Sequence, residues 1–505
     1  MTKPTQRALA ADILLGLMFL LITGLYAWLM FTDRVPLPGL VLLAGLWLAY
    51  AILQKRLTRA TPLDLPILGT LALLPLSLVI TVDRELTLPN LYSLLLAIPL
   101  FYVIVNGIRK PGRLPLAALA VTALALATAL LGLLGTTWEG SKIAFLAPFY
   151  ERLPNLLASL PGSPAGAGIN ANTLGGALAF FIPFLLSLVW DRGGFKRMFL
   201  GSKPQRSTLH TLYKFTLLFT LLIVSATLLL TQSRGAYLGT AFGVLLMAVG
   251  KDRRFLWLIP IGLVGGALAW GLLFRGTNPA ELLIALDSSG ERTLESRLAL
   301  WGGTLSVIQD FPLTGLGLNA FGPVFSTFYT YNIFTYGDVF YFHAHNTFLT
   351  VAVEMGLPAL ALYAALLGGF GAMAARVHKK GRTFVKALTL GLAGGVGAHL
   401  AFGMLDAFTL GKKLGLILWL FLGLMAALFI HRRRMSMSNH RRQQAPRGYG
   451  ERTPDPDRTK RRLGDLLTGL GIWVLVALVS LTFVNLSPLL SLLIALVGGA
   501  GLGVY

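Results

Sequence analysis

LPLAALAVTALALATALLGLLG, Leu114 to Gly135, contains no charged side chain. As a helix rising 1.5 Å per residue it spans roughly 33 Å, enough to cross a hydrocarbon layer of about 30 Å with its backbone groups bonded internally. Arg109, Lys110 and Arg113 stand before it and Trp138 follows it. Basic residues on one flank and an aromatic on the other suit the two interfaces of a spanning helix.

Similar runs recur over 8–31, 37–53, 63–80, 88–105, 169–190, 215–231, 235–250, 255–274, 347–373, 384–405, 414–430, 466–484 and 488–504. With 55% hydrophobic residues, 13% charged and a mean hydropathy of +0.71, the chain reads as an all-α, polytopic transmembrane bundle. The first run is too long for a signal-peptide core and lacks a small-residue cleavage site, so it reads as retained. Placing the N-terminus inside puts 33 of the 43 basic residues on inner segments, as short cytoplasmic loops require. Both termini are then cytoplasmic. The net charge of +22 is topology signal aided by attraction to anionic membrane lipids, and no nucleic-acid partner is expected.

Three stretches break the helical pattern: an outer loop over 136–168, a larger outer loop over 275–342 and a basic segment over 431–462. The expected organisation is a core of about twelve helices over 1–430, a disordered cytoplasmic linker over 431–462 and a two-helix hairpin over 463–505. There is no internal repeat of the kind that builds many transporters. Cys is absent, which removes disulfides and thiolate metal sites.

Ionisable groups inside a membrane are costly, so their depth matters. The runs on either side of Thr231-Gln232-Ser233-Arg234 are short, which draws that turn inward. Asn170 and Asn172 open helix six at the same outer level. His343, Ala344, His345 and Asn346 precede helix ten there, and Asp406 closes helix eleven with His399 seven residues earlier on the same face. Polar groups are thus concentrated at one depth. In the large loop, Leu294, Leu298, Trp301, Leu305 and Ile308 predict an interfacial amphipathic helix, flanked by Arg297 and ended by Asp310-Phe311-Pro312. An aromatic tract from Phe321 to Phe342 suits either sugar stacking or an interfacial belt.

Each group also has a plain structural role open to it: snorkelling for the arginines, loop fixing for the histidines, helix capping for Gln232, Asn170 and Asn172, and a buried structural carboxylate for Glu354. No carboxylate or third histidine lies at ligand spacing from His343 and His345, so no metal is expected.

Thr231-Gln232-Ser233-Arg234-Gly235, then Ser296-Arg297-Leu298-Ala299-Leu300-Trp301 with Asp310-Phe311-Pro312-Leu313-Thr314-Gly315-Leu316-Gly317, then His343-Ala344-His345-Asn346 with Glu354-Met355-Gly356, follow in order along the chain. This set, before and after a large outer loop, resembles the O-antigen ligase and Wzy-type polymerase superfamily over residues 8 to about 430. The resemblance implies a GT-C type glycosyltransferase of the bacterial inner membrane, without metal or cofactor, moving a glycan from undecaprenyl pyrophosphate to an acceptor hydroxyl on the outer face. It implies that Arg234 and Arg297 hold the pyrophosphate and that His345, or next to it His343, serves as base. Gln232, Asn170, Asn172, Asn346, His399 and Asp406 are candidates for substrate contact or support. The acceptor is a lipid-linked core sugar, a growing glycan or a protein hydroxyl. A lipid-linked oligosaccharide flippase is the non-enzymatic alternative. The final hairpin departs from the family frame.

Overall fold

A computed structural model describes residues 6–31, 36–138, 147–150, 168–191, 193–195, 207–273, 294–329, 341–407 and 415–443, with isolated positions between 152 and 156. The expected hairpin over 463–505, most of the linker and the tip of the large loop lie outside these residues. The helices are α1 (Gln6–Phe31), α2 (Leu37–Gln54), α3 (Asp64–Ile80), α4 (Arg84–Gly107), α5 (Leu114–Gly135), α6 (Ala147–Tyr150), α7 (Ala171–Val189), α8 (Ser207–Leu230), α9 (Arg234–Lys251) and α10 (Leu258–Leu273). They continue with α11 (Leu294–Asp310), α12 (Phe321–Phe328), α13 (Thr347–Lys380), α14 (Thr383–Gly403) and α15 (Leu416–Gln443). Each of the first twelve apolar runs falls on one of these helices. Eight of the described helices are long and apolar enough to cross a membrane, and α3 and the apolar part of α15 are shorter. Their outward side chains include Leu20, Val41, Val79 and Leu222, all more than two thirds exposed, the surface a bilayer covers.

α7, α9 and α14 pack closely because glycine removes side chains where their backbones meet. A Cβ added at Gly394 would press on the carbonyl of Gly243, and one at Gly239 on that of Ala398. Small residues bring membrane helices together through backbone and dispersion contact, since lipid offers no hydrophobic drive between them.

α13 is interrupted at Gly356, with φ 79° and ψ 170°, so the single long helix expected from residue 347 is two segments. The preceding loop enters the break. Leu316 N–H donates to Val353 O at 2.9 Å, Gly317 N–H to Glu354 O at 2.9 Å and Leu357 N–H to Pro312 O at 2.8 Å. Gly315 and Gly356 permit this approach: a Cβ on either would collide with the other segment's backbone. Irregular backbone at this depth is sustained because protein partners satisfy it. The two glycine-containing motifs are therefore the two halves of one joint.

Three expectations change. α8 has 24 residues, because Ser207–Lys214 extend it beyond the apolar run, so only α9 is short beside the 231–234 turn. In α11 the expected stripe is split: Leu298 is exposed, but Ile308 is fully buried with Ser296, Leu300, Thr304 and Val307, and Leu305 packs against the core, so the helix leans on the protein rather than lying only at the interface. Last, α15 runs through Arg432, Arg433 and Arg434 to Gln443, so the basic segment begins as helix rather than as a disordered linker. Arginine is a good helix former, and cations suit a helix C-terminus.

Candidate active site

Helix caps bring three chain segments to one place. Asn170 caps α7 by accepting from Asn172 N–H at 2.9 Å and Thr173 N–H at 3.2 Å. Ser233 caps α9 through Ala236 N–H at 3.3 Å. Asn346 caps α13 by accepting from Phe348 N–H at 3.0 Å and Leu349 N–H at 3.2 Å. Its amide also donates to Met404 O at the end of α14. Gly175 lets the 231–234 turn close on α7, since a Cβ there would stand 3.0 Å from Thr231, Ser233 and Ala236 side chains. Two backbone positions here are left-handed, Gln232 at φ 48° and His345 at φ 47°. Neither is glycine, so each conformation costs free energy that its surroundings must offset.

Asp406 is the hub. Its Oδ1 accepts Ala407 N–H at 2.8 Å and lies 3.4 Å from His345 Nδ1 and 3.6 Å from His343 Nε2. Its Oδ2 accepts the amide of Asn172, whose own oxygen accepts the Ser233 hydroxyl. A chain of contacts thus runs from the helix cap beside Arg234 to both imidazoles. Burial pushes the Asp406 carboxyl up, but the His345 contact, the charges of His343 and His345 and the Ala407 N–H outweigh it and lower it to about 2. It is an anion throughout the neutral range.

The two histidines are not equivalent. His343 Nδ1 accepts the backbone N–H of His345 at 3.2 Å, which assigns its ring proton to Nε2, facing Asp406. Both of its nitrogens are engaged. His345 turns Nδ1 toward Asp406 Oδ1 at 3.4 Å, within ion-pair reach but without hydrogen-bond geometry, and its Nε2 makes no hydrogen bond among the described residues. The ring is buried, 4.4 Å from that of His343 and edge-on to Tyr341 at 6.4 Å. A carboxylate behind Nδ1 with an open Nε2 is the arrangement of a supported proton acceptor.

The arginines flank this cluster. Arg234 is the first residue of α9 and exposed, where a cation opposes the helix dipole unless an anion shares the site. Trp301 Nε1–H donates to Ala344 O at 2.9 Å, tying α11 to the loop between the histidines. Arg297 lies one turn earlier on the same side of α11, and its buried Nε has no partner among the described residues. A half-buried guanidinium in that state is a place for an anion.

Some candidates fall elsewhere. His399 stacks on Phe180 at 4.7 Å and lies 3.5 Å from the Tyr363 hydroxyl; it is core, away from Asp406. Asn170 and Asn346 act as caps. Buried Gln232 meets the Tyr150 hydroxyl of α6. Glu354 is buried at the joint in α13. In the aromatic tract, Phe321 and Phe325 stack at 4.7 Å in the core, and Phe328 and Phe342 are exposed. Tyr331, Phe334, Tyr336 and Phe340 lie outside the described residues. Ser233 was missed as a contact, although its place in the turn motif was visible.

The reason for expecting no metal also fails. One ligand atom each from His343, His345 and Asp406 lies within 4.8 Å of the others, so a carboxylate remote in sequence is at ligand reach. The set fits a divalent cation by donor type.

Fold and cluster together define a polytopic helical membrane protein with a buried His–Asp site at the end of its tightest helices. A family profile described as O-antigen ligase matches residues 219–364, from within α8 to within α13. That segment is similar to the O-antigen ligase family, as the motifs indicated. The match includes Arg234, Arg297, His343 and His345, while Asn172 and Asp406 lie on either side of it. No curated protein matches the chain significantly.

Proposed function

We propose that the chain transfers a glycan from undecaprenyl pyrophosphate to an acceptor hydroxyl at the outer face of the bacterial plasma membrane, with inversion at the anomeric carbon. The observation that carries this reading is the His345 ring, backed by Asp406 on Nδ1 and open at Nε2. In the proposed step the acceptor oxygen attacks the anomeric carbon from the side opposite the pyrophosphate. Its proton passes to His345 Nε2, and the carbon–oxygen bond to the pyrophosphate breaks. Arg234 and Arg297 take up the negative charge left on the diphosphate by charge-assisted hydrogen bonds. Asp406 holds the imidazole in the accepting tautomer and stabilises its cation.

A second reading has a specific observation in its favour. A divalent cation on His343, His345 and Asp406 would occupy the three converging ligands. It competes with the base reading, because a metal on His345 Nδ1 would leave the ring proton on Nε2, the nitrogen that must accept the proton of the acceptor.

Purified full-length chain, a synthetic polyprenyl-pyrophosphate glycan and a panel of core-sugar, glycan and peptide acceptors decide between them. Product formed in EDTA supports the base reading, and the acceptor consumed separates ligase from polymerase and protein O-oligosaccharyltransferase. Loss of product in EDTA with recovery on a divalent metal supports the second. Movement of the donor across vesicles with no transfer to any acceptor would instead identify a flippase.

A further inference from the structure

A cavity of about 1040 Å³ lies at the opposite ends of α7, α9 and α14 from the His–Asp cluster. Its wall carries Lys251, Arg382 and Lys386, with Asp191, Asp252 and His378 beside them. We propose that this cavity binds the phosphate-bearing headgroup of an anionic glycerophospholipid.

The charge arrangement suits an anion beyond what topology alone requires. Arg382 is the N-cap of α14 and Lys386 stands four residues on, on the same face; the first turn has no acidic residue and no side-chain cap. Two cations at the positive end of a helix dipole, at i and i+4, each work against the helix. Lys251, on α9, adds a third, held over the Trp190 ring at 3.8 Å.

Neither carboxylate in the wall forms an ion pair with Arg382 or Lys386 among the described residues. Asp252 accepts the Arg254 N–H at 3.0 Å, and Asp191 Oδ2 accepts the Phe195 N–H at 2.8 Å. Asp191 is only 5% exposed, and its Oδ1 has no hydrogen-bond partner among the described residues. A buried acceptor without a donor is a place for a ligand hydroxyl. Cations for a phosphodiester and an acceptor for a hydroxyl match a phosphoglycerol headgroup.

The same chemistry exists in soluble phosphoesters, but the setting favours lipid. Met247, Ala387 and Leu390 form an apolar side of the cavity. Just past α9, Trp257 is 71% exposed at the end of the membrane helices, the level at which indoles mark the headgroup layer. Basic pockets between transmembrane helices are known to take anionic headgroups. The site is independent of the transferase reading and would stand if that reading failed.

The test uses delipidated full-length chain in detergent, read by native mass spectrometry with phosphatidylglycerol or with glycerol 1-phosphate. Phosphatidylglycerol should remain bound to the wild type, and the R382Q/K386Q chain should retain it at least about tenfold more weakly, the loss of one or more charge-assisted contacts. Arg382→Gln alone, at an exposed helix end, should give a smaller loss in the same direction and serves if the double variant does not fold. Glycerol 1-phosphate should bind more weakly than the lipid. Unchanged lipid retention in the variants would overturn the proposal. An equal loss in R253Q/R254Q would do so too, because it would show general surface attraction. Binding of glycerol 1-phosphate as tightly as the lipid would assign the cavity to a soluble ligand instead.

Discussion

The two ends of α7, α9 and α14 treat polar groups in opposite ways. At one end Ser233, Asn172, Asp406 and the two histidines contact one another in sequence, and His345 Nε2 makes no hydrogen bond among the described residues. At the other end Lys251, Arg382 and Lys386 surround an empty volume, and the carboxylates near them are turned toward backbone. A side chain locked by its neighbours has fixed direction, which proton transfer needs. Cations around a cavity provide attraction without fixed direction, which suffices to hold a headgroup. On the two proposals, the same three helices separate a place for chemistry from a place for binding.

Charge removal at the first end should have the largest effect. With Arg234→Ala and Arg297→Ala combined, turnover in the transfer assay should fall by about 10³-fold or more, given the 10²–10³-fold typical of one lost anion donor. Donor affinity should fall with it. Near-normal turnover would remove the arginines from the reaction. Asp406→Asn should cost on the order of 10²-fold in turnover with little change in acceptor KM, since the ring loses its support while the binding groups remain.

Packing between the two ends is the next point to break. Gly243→Leu drives a side chain into the Gly394 backbone and Ala398, and should destabilise by about 1–3 kcal/mol or more, read as a lower Tm. A smaller effect concerns acid. The Asp406 carboxyl lies at about 2 in the folded chain, below its ordinary 3.8, so its contribution to stability is complete above about pH 4 and is lost as the pH falls toward 2. Asp406→Asn should flatten that part of the stability profile; an unchanged acid profile would separate Asp406 from the histidines. The smallest effect belongs to the far end. R382Q/K386Q should leave the transfer rate in detergent within about twofold, as expected of sites that share no partner.

Much of this was legible in the chain because membrane helices are written in composition. Runs such as Leu114–Gly135 fixed the helical frame, and the ordered motifs pointed to the family. Periodicity read α11 only in part: Leu298 stays outside, but Ile308 of the same stripe goes in, along with Ser296, Thr304 and Val307. Depth arguments placed Asp406 at the right level but paired it with His399, on its own helix. The three-dimensional partners are Asn172 and the two histidines from other segments, and no spacing rule links positions so far apart. The choice between His343 and His345 was equally invisible, because it turns on one backbone N–H reaching His343 Nδ1.

The most direct test is transfer by purified His345→Ala and His343→Ala chains in EDTA, with donor binding measured alongside. His345→Ala should lose at least about 10²-fold in turnover while still binding donor, and His343→Ala should lose less. Turnover of His345→Ala within a few-fold of wild type, or no wild-type product at all in EDTA, would contradict a metal-free reaction based on His345.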